Sequence, residues 1–184
     1  MRDLSLHLLD LAQNSVSAGA SLVEISLTLL PDGWLTLVIR DDGRGMSPEL
    51  LARVPSPFAT TRTTRRVGLG IPLMQENAEK TGGALQLESQ EGVGTVLTVT
   101  LNTHHIDCLP LGDLAGTVFS LILMHPDQPD FHFQGSSPRG CCDVDTREIR
   151  AAADGLSLSE PAIAAWLKQA IQEEIQPIFG GADL

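Results

Sequence analysis

Two alternating runs divided by a turn constrain this chain most. Leu22 to Leu30 (LVEISLTLL) and Trp34 to Arg40 (WLTLVIR) each alternate apolar and polar residues, with Pro31-Asp32-Gly33 between them. Period-two alternation around a Pro/Gly turn predicts a β-hairpin, and with it an antiparallel pair buried on one face. The flanking segments fit around that hairpin. Leu4, Leu8, Leu9, Leu11 and Ala12 recur at helical spacing, with Asp3 or Ser5 as cap and an end near Gly19. Ser47-Pro48-Glu49 reads as a helix start. A helix is predicted from Leu69 to Thr81, stopped by Gly82-Gly83, followed by strands at Ala84 to Gln90 and Thr95 to Leu101. Residues 55–67 (PSPFATTRTTRRV) have no periodicity and read as loop. The first hundred residues thus run α-β-β-α-α-β-β. That order predicts an α+β fold with a largely antiparallel sheet packed on helices, not a doubly wound one.

The second part of the chain is different. Leu114 to Leu123 is apolar and suits helix or buried strand, Asp130 to Phe133 suits a short strand, and residues 134–142 (QGSSPRGCC) read as loop. Ile163, Trp166, Leu167, Ala170, Ile171 and Ile175 form an amphipathic helical stripe over 161–175, with Ser159 as its expected cap. We expect two regions, 1–102 and an α/β extension at 103–184 packed on it, because no Pro/Gly/Ser linker separates them.

Charge excludes some partners. The net charge is -11 at pH 7, so phosphate backbones and anionic lipid are repelled. A nucleotide is still admitted, since backbone dipoles and a metal act locally. No apolar run reaches membrane-spanning length, and the N-terminal stretch, broken by His7, Asp10, Gln13 and Asn14, does not read as a signal peptide. The expectation is a soluble, cytoplasmic protein without nucleic-acid or membrane partners. Three cysteines, Cys108, Cys141 and Cys142, do not suggest a disulfide framework. His104, His105 and Cys108 have spacing a metal could use, but no CxxC is present, and packing is the default reading of the cysteines.

Four segments hold polar or glycine residues where packing does not ask for them. Asp10 and Asn14 lie four apart on the first helix and share a face. Asn14 can offer an amide oxygen to Mg2+ and Asp10 can hold a water, although the pair alone also fits a solvated face. Asp41 ends a strand and is followed by Gly43 and Gly45, so a carboxylate could accept from an exocyclic amine where the backbone lies close to a flat ligand. Taken singly this is also a turn. Gly68-Leu69-Gly70 opens a helix whose free N–H groups suit phosphate, after a loop with Thr60, Thr61, Arg62, Arg65 and Arg66. Gly92-Val93-Gly94-Thr95 precedes the last strand of the first region and alone is a hairpin turn.

In this order and spacing the segments resemble the GHKL superfamily of ATPases and kinases, over about residues 4–101. Asp10 to Ala20 (DLAQNSVSAGA) resembles the N box, with an ending close to that of MutL. Ile39 to Met46 (IRDDGRGM) resembles the G1 box, Pro57 to Thr61 the F box of histidine kinases, and Val67 to Gly70 the G2 box. The resemblance implies a Bergerat-type two-layer α/β sandwich with ATP between the helices and a lid. Asn14 matches the magnesium ligand, and Asp41 the adenine-binding aspartate with Thr95 nearby. Gly43, Gly45 and Met46 fall at the base and sugar; Phe58, Thr60, Arg62, Gly68, Leu69 and Gly70 fall at the lid and phosphates.

Asp10 falls where some members have a glutamate general base and is one methylene shorter. The implied cofactors are ATP and Mg2+. The implied function is a regulatory signal-transduction protein like a free-standing histidine-kinase or anti-sigma-factor-kinase domain, acting on a separate protein partner or phospho-acceptor. The alternatives are a slow ATPase module of a larger assembly and a non-catalytic nucleotide-gated binding module. A homodimer is compatible with all three. No dimerisation helix pair or transducer domain is expected, and His7, one turn from Asp10, is read as packed rather than as a phosphate acceptor.

Overall fold

The computed structural model describes residues 2–54 and 70–180. Its elements in chain order begin with α1 (Leu4–Ser17), β1 (Leu22–Leu29), β2 (Trp34–Asp41), α2 (Pro48–Leu51), α3 (Gly70–Lys80), β3 (Ala84–Gln90) and β4 (Gly94–Asn102). They continue with α4 (Leu114–Met124), β5 (Asp130–Ser137), β6 (Gly140–Asp145), α5 (Thr146–Ala152) and α6 (Pro161–Phe179).

The strands form one six-stranded sheet in the order β3-β4-β2-β1-β5-β6. All neighbours are antiparallel except β1 and β5, which run parallel. Since β4 and β5 therefore point the same way, they need a crossover, and α4 lies in it. Alternation decides which face is covered. Val23, Ile25 and Leu27, Leu35, Leu37 and Ile39, Leu97, Val99 and Leu101, and Phe131 and Phe133 are buried in one core with Leu8 and Leu11 of α1, Met74 of α3, Val118 and Ile122 of α4 and Leu167 and Ile171 of α6. The intervening residues, such as Ser26, Thr36 and Thr98, stay half-exposed on the other face. This is the expected α+β sandwich of Bergerat type, its largely antiparallel sheet extended by β5 and β6.

The segment between β4 and α4 is held at both ends. Thr103 N and Oγ1 both donate to Gly33 O at 2.8 Å, in the β1–β2 turn. Leu4 N donates to Pro110 O at 3.0 Å and Ser5 N to Leu111 O at 2.9 Å, so two of the first N–H groups of α1 find acceptors there. At the far end of α4, His125 Nε2 lies 3.1 Å from Gln13 Nε2 on α1. No helix among the described residues is long and apolar enough to cross a membrane.

Two local readings are corrected. Residues 134–142 are not loop: β5 continues to Ser137 and pairs with β6 across a two-residue turn at Pro138 and Arg139. Small residues conceal the strand because packing demands them; a Cβ on Gly135 would lie 2.5 Å from both Cys142 Sγ and a Phe179 ring carbon. The cap of α6 is Glu160, without a side-chain bond, while Ser159 Oγ bonds Ser157 Oγ at 2.8 Å. Pro161 has its φ preset for the first helical position and so moves the boundary one residue on.

One buried group is not explained by packing. His7 on α1 is 1% exposed; Asn77 Nδ2 of α3 donates to its Nε2 at 3.0 Å, and its Nδ1 has no partner among the described residues. An unmet buried polar group costs about 1–3 kcal/mol. Burial pushes the imidazole pKa below its ordinary 6.5, against the opposing charges of Asp10 and Asp3. The unfolded chain then binds the proton more readily than the folded one, so this contribution to stability is full above pH 6.5 and is lost as pH falls below it. We expect the melting temperature of the wild type to fall between pH 7 and pH 5 by more than that of His7→Leu. Parallel pH profiles in a thermal unfolding series would refute this.

Candidate functional site

Asp41 is the last residue of β2, where alternation turns its side chain to the helix-covered face beside α1. Ser15 of α1, itself 4% exposed, donates its hydroxyl to Asp41 Oδ2 at 2.6 Å. Gly43 N donates to Asp41 Oδ1 at 3.0 Å. Both carboxylate oxygens are thus oriented, and each keeps lone-pair capacity for a further donor. The next residue has a different task. Asp42 lies on the opposite side of the strand and accepts from Ser21 N at 2.7 Å, from Leu22 N at 2.9 Å and from Ser21 Oγ. Burial raises its pKa, but these bonds outweigh it and hold the carboxyl below its ordinary value. Of the two adjacent aspartates, one ties the start of β1 to the end of β2 and the other is available to a ligand.

The turn after Asp41 is braced from two sides. Arg44 N donates to Ala18 O at 3.0 Å, and Gly92 N to Arg44 O at 2.8 Å. Gly45 has φ +62, and a Cβ there would lie 1.9 Å from Gln90 O, so backbone conformation and close approach both demand glycine. Met46 N donates to Ser89 Oγ at 2.9 Å; that hydroxyl lies 3.0 Å from Gly94 O and 2.9 Å from Thr95 Oγ1. Thr95 is the cross-strand partner of Asp41 and Ser89 that of Thr95. A concavity of about 480 Å³ at this end of the sheet includes Asp41, Gly94 and Thr95, but Glu24, Arg40 and Glu88 place much of it round the strand ends on the outer face.

A second cluster lies nearer the start of α1. Gly70 opens α3 against the half-buried Asp10, and a Cβ on Gly70 would stand 2.0 Å from Asp10 Oδ2. Asn14 is exposed one turn beyond Asp10. One helix therefore carries both clusters, with Asp10 and Ser15 about 7.5 Å apart along its axis.

Of the site residues expected from sequence, Asp41, Gly43, Gly45, Met46 and Thr95 come together around the end of β2, and Asp10 meets Gly70. Phe58, Thr60, Arg62, Gly68 and Leu69 lie outside the described residues. Sequence reasoning missed Ser15 and Ser89. The signal for Ser15 was its place directly after Asn14; for Ser89, its place opposite Thr95 in the second hairpin. No cluster of three metal-ligating side chains occurs among the described residues. Strand alternation splits the cysteine pair, with Cys141 exposed and Cys142 buried. Burial, helped by Glu174, pushes the Cys142 thiol up to about 11, so it is an unreactive packing group.

Residues 2–105 match the family model of the histidine kinase-, DNA gyrase B- and HSP90-like ATPases. This chain belongs to that family. Its first region is an ATP-binding, kinase-type ATPase domain, and the two clusters lie within the matched span. The domain is 32% identical over 100 residues to the sensor histidine kinase ZraS of Salmonella typhimurium, covering 53% of this chain and 21% of that protein. It is 38% identical over 74 residues to the histidine protein kinase DivJ of Caulobacter vibrioides, covering 38% of this chain and 12% of the relative. Sporulation kinase E of Bacillus subtilis is 34% identical over 77 residues, covering 42% and 10%. The chain thus spans between 10% and 21% of the length of these curated relatives.

Proposed function

We propose that this ATPase domain holds Mg-ATP with the adenine amine donating to Asp41 and the phosphates directed toward Asp10 and the start of α3, and that it acts on a separate protein partner. The observation that carries the reading is the Asp41 carboxylate, oriented through both oxygens by Ser15 and Gly43 and retaining acceptor capacity. Gly43, Gly45, Met46 and Thr95 bound the base and sugar. The lid residues Phe58, Thr60, Arg62, Gly68 and Leu69 contribute at the phosphates, following the family resemblance.

Asn14 and Asp10 suit magnesium, which prefers oxygen ligands and takes only one or two from protein beside substrate phosphates. Bound there, the ion would neutralise phosphate charge. Asn14 would hold it, and Asp10 would take a proton from the attacking water or acceptor. Residues 103–184 are the extension that packs on this unit. A phosphorylated partner would place the chain with the kinases; phosphate release without a partner favours the slow-ATPase reading, for which the carboxylate of Asp10 on α1, against the start of α3, speaks.

Thermal unfolding with ATP tests the pocket and the metal together. A ligand at about 100 times its dissociation constant stabilises by about 2.7 kcal/mol, a rise of about 5–10 °C for this chain length. We expect that rise with Mg-ATP and a clearly smaller one with ATP and a chelator. Equal rises would remove magnesium from the proposal, and no rise with either would remove the nucleotide.

A further inference from the structure

The buried imidazole of His7 stands between two helices that the proposed site uses at its phosphate end. Asp10 lies one turn after it on α1, and Gly70 lies two turns before its partner Asn77 on α3. Beside the apolar packing of Leu8 and Met74, the helices meet at two further points: His7 Nε2 with Asn77 Nδ2 at 3.0 Å, and Asp10 with the bare Cα of Gly70.

Stability does not account for the first contact. A side chain that makes one hydrogen bond and whose other buried ring nitrogen has no partner among the described residues is no better for the fold than an apolar group of its shape. The leucines around it on α1, Leu4, Leu8 and Leu11, show that the site accepts aliphatic packing. What a hydrogen bond has and leucine lacks is direction. Apolar faces of two helices can slide and rotate against each other with little change in buried area, whereas one directed bond fixes both movements.

We propose that His7 and Asn77 are positioning residues: their bond sets the slide and rotation of α3 so that Gly70 meets Asp10, and thereby sets how tightly the γ-phosphate is gripped. This rests on the reading of Asp10 and Gly70 as the phosphate end of the site. It goes beyond that reading in naming a pair that touches neither nucleotide nor metal. The adenine end is held by Asp41, Ser15 and Gly43, on β2 and the far end of α1, and does not depend on α3. The pair therefore acts on ATP and leaves ADP nearly untouched.

The test is calorimetric titration of the full chain with Mg-ATP and with Mg-ADP, beside thermal unfolding without nucleotide. His7→Leu and Asn77→Leu each weaken Mg-ATP by about tenfold relative to Mg-ADP, a usual size for coupling between sites. The double variant is no weaker than either single one, because both remove the same bond. His7→Gln, whose amide oxygen can take the Asn77 N–H, recovers most of the preference for ATP. Without nucleotide at neutral pH His7→Leu melts no lower than the wild type, whereas Asn77→Leu melts lower, because it leaves both buried ring nitrogens of His7 unmet.

An unchanged ATP-to-ADP ratio in His7→Leu overturns the inference. So does equal weakening of both nucleotides with a lower melting temperature, which marks a merely structural role. A wild type that binds neither nucleotide overturns the underlying site as well, and that failure is visible before any variant is made.

Discussion

Asp41→Asn is expected to abolish the rise in melting temperature that Mg-ATP produces in the wild type. The two side chains have the same shape, so the change isolates chemistry. A carboxylate offers acceptors in every direction: Ser15 and Gly43 N take one oxygen each, and a ligand amine finds a further lone pair. In asparagine one of these oxygens becomes a donor. Turned toward Gly43, it meets another donor; turned toward Ser15, it makes the hydroxyl the acceptor, so that the hydroxyl proton loses the carboxylate. Either orientation costs a donor its acceptor, at about 1–3 kcal/mol, and replaces a bond to a charged acceptor, worth about 1.5–3 kcal/mol, by one to a neutral amide. Together these weaken binding by about a hundredfold or more, since each 1.4 kcal/mol is about tenfold. The unliganded variant should melt only a few degrees lower, because the strand pairing of Asp41 with Thr95 uses backbone groups. Thermal unfolding of both proteins across a Mg-ATP titration decides this. A variant that keeps the full rise would show that the base does not bind through Asp41.

The parts legible in the sequence are those where a local signal and the tertiary environment ask for the same residue. The β1–β2 hairpin, the Ser47-Pro48 start of α2 and the glycine stop after α3 are of this kind. Asp41 with Gly43 and Gly45 reads singly as a turn, and it stood out only through its order and spacing with the other three segments. The strand at Gly135 to Ser137 was hidden, since its small residues answer to Cys142 and Phe179, which are distant in sequence or on the next strand. The continuation of the sheet from β1 to β5 is a parallel pairing across more than 100 residues of chain, for which no short-range pattern exists. Ser15 and Ser89 were missed for a related reason. A serine beside Asn14 or opposite Thr95 is marked only by its position, and its partner is settled once the fold places a carboxylate or a backbone N–H against it. His7 could be recognised as packed, but its partner Asn77 lies on a helix whose orientation only the fold supplies.

Asp10→Asn is expected to lower phosphate release or transfer by about 10²–10⁴-fold, the usual contribution of a general base. Nucleotide affinity should stay within about threefold, since the adenine end is untouched. The shorter reach of an aspartate would ordinarily argue against this role, because a base must come within about 2.6–3.2 Å of its water. Here the geometry compensates from the other side: α3 begins with a residue that has no side chain, directly against the carboxylate. Gly70→Ala tests that link independently. Its Cβ would stand 2.0 Å from Asp10 Oδ2, so the carboxylate must turn away. Gly70 is the first residue of α3, where the interior preference for alanine counts for little, so the variant should melt close to the wild type. A protein as stable as its parent, still able to bind Mg-ATP but at least about tenfold slower in turnover, is the expected result. If Gly70→Ala turns over at the wild-type rate while Asp10→Asn does not, Asp10 acts from another orientation than the one seen against α3. If neither variant is slowed, the proton goes to a different group and Asp10 serves only the packing of α1 on α3.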